Sequence, residues 1–484
     1  MRRSARGYSE PMTTPATLLS QPLDPTICQQ ARLARDPRFD GEFFLAVTST
    51  GIYCRPVCPA RPPAERNVRY YQHAAQAAQD GFRPCLRCRP ESAPGSPAWQ
   101  GSNTTVQRAL ALIREGALNG EGSLAKLASR LGVGERYLRK LFQRELGLSP
   151  LAVAQNHRLH MAKQLLAETT LPVTEVALAA GFSSVRRFNS AIKAAFATTP
   201  GKLRRHASAA SDTIELALHY RPPYDWNGVI DLLSRHAVPG VEHVSANSYS
   251  RNILIAGQPG HFTITPGADK NALQLSLRLT TFAELMPLVA RVRRMFDLDA
   301  NPAVIAASLG RSNKLGDLLN QRPGLRMPGF WSAEEATVRA IVGQQVSTAA
   351  ARSICGRFAA ECAADNTAQV FPRAHQIAAL PDSQFPMPAS RRDTLRRFAE
   401  QQSGESDDIN LDALASLRGI GPWTTSIAAM RGLGQPDCFP ASDLGLIKAW
   451  EQLGYEKSAL KGQSDSWRPW RSYAANLLWR SLTP

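Results

Sequence analysis

Two short cysteine pairs constrain this chain more than any other feature: Cys54 and Cys58 stand as C-x3-C, and after 26 intervening residues Cys85 and Cys88 stand as C-x2-C. Such pairs present four thiolates tetrahedrally to one metal ion, so the segment around them must fold about that centre. The pattern points to one Zn2+ held by all four cysteines rather than to disulfides. Arginines adjoin every thiolate, with Arg55 inside the first pair and Arg83, Arg87 and Arg89 around the second. A purely structural zinc knuckle has no need of them, whereas a thiolate that meets a phosphate backbone does. The other cysteines, Cys28, Cys355, Cys362 and Cys438, are scattered, which suits a reducing compartment and a cytoplasmic location.

At 484 residues the chain is too long for a single core and should divide into several domains. No apolar run reaches membrane-spanning length, which argues against a membrane partner. Arg2, Arg3 and Arg6 are followed by no apolar segment, which argues against a signal peptide. The net charge of +17 is unevenly placed. Residues 1–206 hold 29 Lys and Arg against 14 Asp and Glu, and the remainder hold 28 against 26. The basic excess is the expected footprint of phosphate binding and lies in the N-terminal part. The C-terminal part must meet any nucleic acid by other means.

Residues 1–20, rich in Ser, Thr and Pro, read as a disordered leader, and a small α+β zinc module follows over 21–91. Ser92 to Pro97 and Ala207 to Ser211 read as linkers by composition. Between them, over 103–206, helical periodicity dominates. The period then switches to two at Ile214, Leu216 and Leu218, and again over Leu273 to Leu279. Helices are expected over Trp226 to His236 and Phe282 to Phe296, which makes 212–295 a small α+β unit. Residues 296–484 read as all-α. The whole chain is thus multidomain and mostly α.

Two helix-turn-helix patterns occupy the basic part. In the first, Ser123 caps a helix with Leu124, Leu127, Ala128 and Leu131 on its face, Gly132 turns the chain, and Tyr137, Leu138 and Leu141 anchor the next helix. Arg136, Arg139 and Lys140 then face outward. In the second, Val173, Val176, Ala177 and Ala180 form the face, Gly181 the turn, and Phe182, Phe188 and Ile192 the anchors. Ser183, Ser184, Arg186, Arg187 and Asn189 fall on its second helix. The units end in related phrases, Leu148-Ser149-Pro150 and Thr198-Thr199-Pro200. This tandem resembles the DNA-binding domain of AraC-type regulators, which implies that Arg136, Arg139, Arg186 and Arg187 contact promoter DNA from two recognition helices.

The phrases Phe43 to Cys58 and Phe82 to Cys88, joined to that tandem, resemble the N-terminal half of the Ada family of adaptive-response regulators. The resemblance implies that Cys54 is both zinc ligand and nucleophile, accepting a methyl group from a DNA methylphosphotriester. It also implies that this methylation activates transcription, with RNA polymerase as a partner.

In the C-terminal part, Leu417-Arg418-Gly419-Ile420-Gly421-Pro422-Trp423-Thr424 carries most information. Gly419 and Gly421 make a tight hairpin, Pro422 suits the first position of a helix, and the backbone N–H groups there can hold a phosphate without a cationic side chain. With Ala340 to Ser347, Cys438 to Lys448 and Trp467 to Trp479, this stretch resembles the AlkA-type 3-methyladenine DNA glycosylases of the helix-hairpin-helix superfamily. The resemblance covers 212–484 and implies a TBP-like fold for 212–295. It also implies Asp443 as the catalytic carboxylate, Trp423 and Trp479 as walls of the base pocket, and double-stranded, alkylated DNA as substrate. Three positions depart from the family: Ser442 replaces a second acid found in some relatives, Gln345 stands where an aliphatic residue wedges into the duplex, and Ile427 where an aromatic can line the pocket. An alternative reading keeps the regulator and makes the C-terminal half a non-catalytic lesion binder. A guanine-methyltransferase half is excluded, because the chain has no Pro-Cys-His-Arg motif. Both resemblances imply a monomer.

Overall fold

Alternation at Ile214, Leu216 and Leu218 does produce a strand, with those three side chains inward and Glu215 outward. In the computed structural model this strand, β5 (Ile214–His219), lies at the edge of an antiparallel sheet of order β5-β9-β8-β7-β6. Its partners are β6 (Glu242–Ser245), β7 (Ser248–Ile255), β8 (Gln258–Pro266) and β9 (Ala272–Arg278). In the meander β6–β8 the alternation is broken in places, with Arg251 on the buried side of β7 and Leu254 on its exposed side, and with Pro259 and Gly260 at the start of β8. The helix Trp226–His236 forms where the pattern puts it, whereas the second helix, Leu285–Met295, starts three residues after Phe282.

The structure describes residues 24–35, 43–58, 60–71, 74–85, 88, 90, 102–120, 122–204, 213–267, 271–310, 312–363, 369–402 and 409–482. The leader, both linkers, Arg87 and Arg89 lie outside them. Among the described residues no helix is long and apolar enough to cross a membrane. The chain forms two compact units, Met1–Ala111 with Ala128–Ser149, and Leu112–Leu127 with Pro150–Pro484.

The first unit holds a four-stranded sheet of order β3-β1-β2-β4, built from β1 (Phe44–Val47), β2 (Ile52–Cys54), β3 (Val68–Tyr71) and β4 (Arg83–Pro84). It also holds the helix Glu135–Leu146, whose Leu138, Leu141 and Phe142 are buried. Tyr137, expected as an anchor, is 51% exposed, because the buried stripe runs 138, 141, 142 and leaves position 137 one residue off it.

In the second unit the helix Pro150–Glu168 runs along the open edge of β5. Glu168 Oε2 accepts Ala217 N–H at 2.9 Å, and Gln164 Nε2 donates to Ala217 O at 2.9 Å. A free strand edge is thereby covered by side chains. The core of the second helix-turn-helix, with Val176, Phe188 and Ile192, is continuous with that of the sheet, with Leu216, Phe262 and Leu275.

The helix Ala333–Val342 is buried on every side, which is compatible with its charged residues only if each is paired. Glu335 takes Arg251 of β7 at 2.5 Å and Arg339 Nε at 2.8 Å. Arg339 also reaches Glu242 of β6 at 2.5 Å, and Tyr249 donates to Glu242 at 2.7 Å. Burial would raise the Glu242 carboxyl, but Arg339 and Arg251 outweigh it and hold the group at about 2. Glu335→Ala leaves two buried guanidinium groups to share the one carboxylate of Glu242 and is expected to cost about 3–5 kcal/mol, read from the denaturant midpoint. For Glu242, a carboxyl depressed on folding, the stabilisation is present above the ordinary carboxylate range and is lost as pH falls from there towards about 2. Acid denaturation followed on wild type and Glu242→Gln checks the direction: the variant's stability should change less over that interval.

Candidate functional site

The four cysteines come together through a parallel strand pairing. Strand β2 ends at Cys54 and β4 leads into Cys85, with Arg83 N donating to Gly51 O at 2.8 Å and Cys85 N to Tyr53 O at 3.0 Å. Cys58 follows a turn closed by its N–H on Arg55 O at 3.1 Å. All four sulfurs lie within 4.8 Å of one another, and Cys58 and Cys85 are 3.9 Å apart. A tetrahedron of Zn–S bonds places its sulfurs roughly 3.8 Å apart, so the donor set fits Zn2+. The sulfurs are close enough to perturb one another: hydrogen bonding to Cys58 raises Cys54 far above an ordinary thiol, and the same contact lowers Cys58. Zn2+ is the cofactor this quartet holds. None of the eight cysteines forms a disulfide.

A cavity of about 830 Å3 opens beside the quartet, lined by Cys54, Cys58 and Cys85 and by Arg32, Arg35, Arg55, Arg61 and Arg83. Two of these arginines serve the fold. Arg32 is buried against Glu65 and Tyr70, and Arg55 donates to Cys88 O at 3.0 Å while its N–H points at Cys88 Sγ at 3.4 Å. Arg61 and Arg83 are exposed at the rim.

The recognition-helix residues are outward as the sequence implies. Arg136 and Arg139 are exposed, Arg139 3.5 Å from Glu135 one turn earlier. In the second unit Ser184 caps the helix Val185–Phe196, and Arg186 and Arg187 are exposed on it. The rings of Phe182 and Phe188 meet edge to face at 5.3 Å and hold that helix at the Gly181 turn, where φ is +83°.

Asp443, Trp423 and Trp479 come from three separate stretches and meet at one carboxylate. Asp443 caps the helix Leu444–Gln452, its Oδ1 accepting Leu446 N–H at 2.9 Å. The Trp479 indole N–H donates to the same oxygen at 2.8 Å, and the Trp423 indole N–H to Oδ2 at 2.8 Å. Trp423 belongs to the helix Pro422–Ile427, which continues as a π-helical turn over Ala428–Gly432, and Trp479 to the helix Arg471–Ser481. All three residues are half-buried.

In the hairpin, Gly419 has φ +94°, and a Cβ there would sit 2.0 Å from Thr394 Oγ1, so glycine is required. At Gly421 nothing stands within 4 Å of such a Cβ, leaving the entrance to the next helix open. Gln345 is exposed in a left-handed conformation, φ +56°, which a non-glycine residue adopts at a cost of about 1–3 kcal/mol. Its neighbour Gln344, which the sequence does not single out, donates to Gly419 O and Thr424 Oγ1, both at 3.0 Å, and ties the Gln345 loop to the hairpin. Gly445 is also missed: a Cβ there would lie 3.1 Å from the Trp479 ring. Neither residue belongs to a pattern visible without the fold.

Family models match this chain at residues 27–91 (metal binding domain of Ada), 127–206 (helix-turn-helix domain) and 215–332 (AlkA N-terminal domain). It is 40% identical over 480 residues to the "Probable bifunctional transcriptional activator/DNA repair enzyme AlkA" of Mycobacterium tuberculosis, covering 94% of this chain and 96% of that protein. DNA-3-methyladenine glycosylase 2 of Escherichia coli is 31% identical over 54% of this chain and 95% of its own length. The bifunctional transcriptional activator/DNA repair enzyme Ada of Escherichia coli is 38% identical over 32% of this chain and 41% of its own length. The chain belongs to the family of bifunctional transcriptional activator/DNA repair enzymes, with an Ada-like and an AlkA-like part fused in one polypeptide.

Proposed function

We propose that the chain excises alkylated bases such as 3-methyladenine from double-stranded DNA and converts phosphate alkylation into a transcriptional signal. The observation that carries the excision reading is the meeting of Asp443, Trp423 and Trp479 at one carboxylate. An alkylated purine is already a cationic leaving group, so breaking its N-glycosidic bond needs no acid. The electron pair leaves with the base, positive charge develops on the sugar, and Asp443 stabilises that charge across the site. Water then bonds to the anomeric carbon and Asp443 takes its proton. Only the base is released, which makes the enzyme a monofunctional, hydrolytic glycosylase.

Trp423 and Trp479 meet that carboxylate with their indole N–H edges, and their ring faces serve as walls for a flipped base, indole faces being favourable to cationic rings. Gly419 and Gly421 bring backbone N–H groups to a phosphate, and Gln345, held in a left-handed turn beside them, fills the gap in the duplex. The helix-turn-helix arginines Arg136, Arg139, Arg186 and Arg187 hold promoter DNA. One copy carries every group needed, so the chain works as a monomer, with RNA polymerase as the activator's partner.

In the zinc module Cys54 Sγ attacks the methyl carbon of a methylphosphotriester. A sulfur–carbon bond forms, the methyl–oxygen bond breaks, and its electrons stay on the phosphate as a phosphodiester anion. Bound zinc keeps the four sulfurs ionised at neutral pH and leaves the site net anionic. A methylphosphotriester is uncharged and is repelled least by that charge. Methylation turns the Cys54 thiolate into a thioether, so the module repels DNA phosphates less and promoter affinity rises.

Asp443→Asn is expected to lower 3-methyladenine release from methylated DNA by about 10²–10³-fold in kcat, and wild-type-like release would remove Asp443 from the chemistry. Cys54→Ala should abolish methyl transfer from methylphosphotriester DNA and damage-dependent activation while leaving base release intact. Chelation should unfold the zinc module, whose folding rests on roughly 10–16 kcal/mol of metal binding, and spare excision; near-ultraviolet circular dichroism and the release assay together read both effects.

A further inference from the structure

A carboxylate offers about four acceptor sites, two on each oxygen. On Asp443 the described residues take three of them: Leu446 N–H and the Trp479 indole on Oδ1, and the Trp423 indole on Oδ2. We infer that Trp423 and Trp479 are positioning residues, whose N–H groups hold the Asp443 carboxylate so that Oδ2, with one acceptor site left, meets the sugar and the attacking water. This rests on the reading of Asp443 as the catalytic carboxylate and adds to the role of the two ring faces.

The donors come from three different helices, so they fix both torsions of the Asp443 side chain. An indole N–H donates and never accepts, and a bond to an ionised group is among the stronger ones available. The site is shaped for the Trp479 contact. Gly445 leaves the room it needs, because a Cβ there would stand 3.1 Å from the Trp479 ring and 3.0 Å from Asp443 Oδ1. Behind it, Arg431 is buried, held by Pro328 O at 2.6 Å and Asn476 Oδ1 at 2.8 Å, with its guanidinium 5.4 Å from the ring centre. A cation over the ring draws electron density from the indole and makes its N–H the better donor. Next to Trp423 in its helix, Thr424 accepts Gln344 Nε2 on its Oγ1 at 3.0 Å, which ties that helix start to the Gln345 loop.

The test is steady-state excision from methylated duplex DNA by the full zinc-loaded chain carrying Trp423→Phe or Trp479→Phe. Phenylalanine keeps a ring face and deletes the donor. Each variant is expected to lose about tenfold to a hundredfold in kcat, with KM within about twofold and the thermal midpoint retained. If both variants keep kcat within about twofold of wild type, the inference falls. Should a phenylalanine variant fold poorly, Gly445→Ala supplies the readout: a methyl group pressed on the Trp479 ring should lower kcat, and unchanged kcat overturns the positioning role. A second measurement looks at the contacts directly. Of the eight tryptophan indole N–H resonances, two should shift in Asp443→Asn, and none shifting overturns the inference. Full activity of Asp443→Asn would sink the catalytic reading itself, whereas an inactive Asp443→Asn beside fully active phenylalanine variants would sink the positioning role alone.

Discussion

The pairing of Arg251, Arg339, Glu242 and Glu335 is the constraint on which the C-terminal architecture depends. Each of these charges is almost wholly buried, so none is tolerable alone, and together they fix the helix Ala333–Val342 against the sheet. That helix ends at Gly343, and the next residue, Gln344, is bonded to the hairpin at Gly419 and Thr424. The hairpin delivers Trp423, and Trp423 reaches Asp443. A buried ion network is therefore linked to the Asp443 carboxylate by an unbroken series of contacts, each of which sets the position of the next.

The π-helical turn Ala428–Gly432 does related work. Ala428 belongs to one hydrophobic cluster, with Ile341, Val342 and Ile420, and Met430 to another, with Leu446, Trp450 and Leu478. The wider turn lets one continuous segment change clusters within two residues. Gly432 permits it, because a Cβ there would fall 2.6 Å from Ala333 Cα. Asp443 and Trp479 belong to elements of the second cluster and the hairpin to the first, so the site forms where the two meet.

Legibility in the sequence followed the range of the interactions. The cysteine spacing, the Gly419 hairpin and the strand at Ile214 are local patterns, and the structure has them where the residues put them. The register of helix Glu135–Leu146 was readable to within one residue, and Tyr137 fell on the wrong side of it. The strands β6 to β8 are harder to read because Arg251 is buried and Leu254 exposed in β7, exceptions of which the first rests on the pairing of Arg251 with Glu335. At the site, the residue types were legible but not their mutual bonds. That Trp423 and Trp479 donate to Asp443, or that Gly445 makes space, depends on three helices crossing, and no spacing in the chain records it.

Charge separates the two parts more sharply than the fold does. The N-terminal part leaves arginines such as Arg61, Arg83, Arg136 and Arg186 exposed, where their charge faces solvent and is screened by salt. The C-terminal part has nearly as many basic residues, yet Arg251, Arg326, Arg339, Arg391 and Arg431 are buried as donors to backbone oxygens and carboxylates. Those five guanidinium groups hold the fold together from inside and present no charge to solvent. The covered β5 edge, where Glu168 and Gln164 bond to Ala217, makes part of the regulator structural support for the glycosylase sheet. A glycosylase half cut free at residue 212 would lose the Glu168 and Gln164 partners of Ala217 and the part of the shared core that Val176, Phe188 and Ile192 supply, so in this chain the helices before residue 212 contribute to the stability of the repair domain.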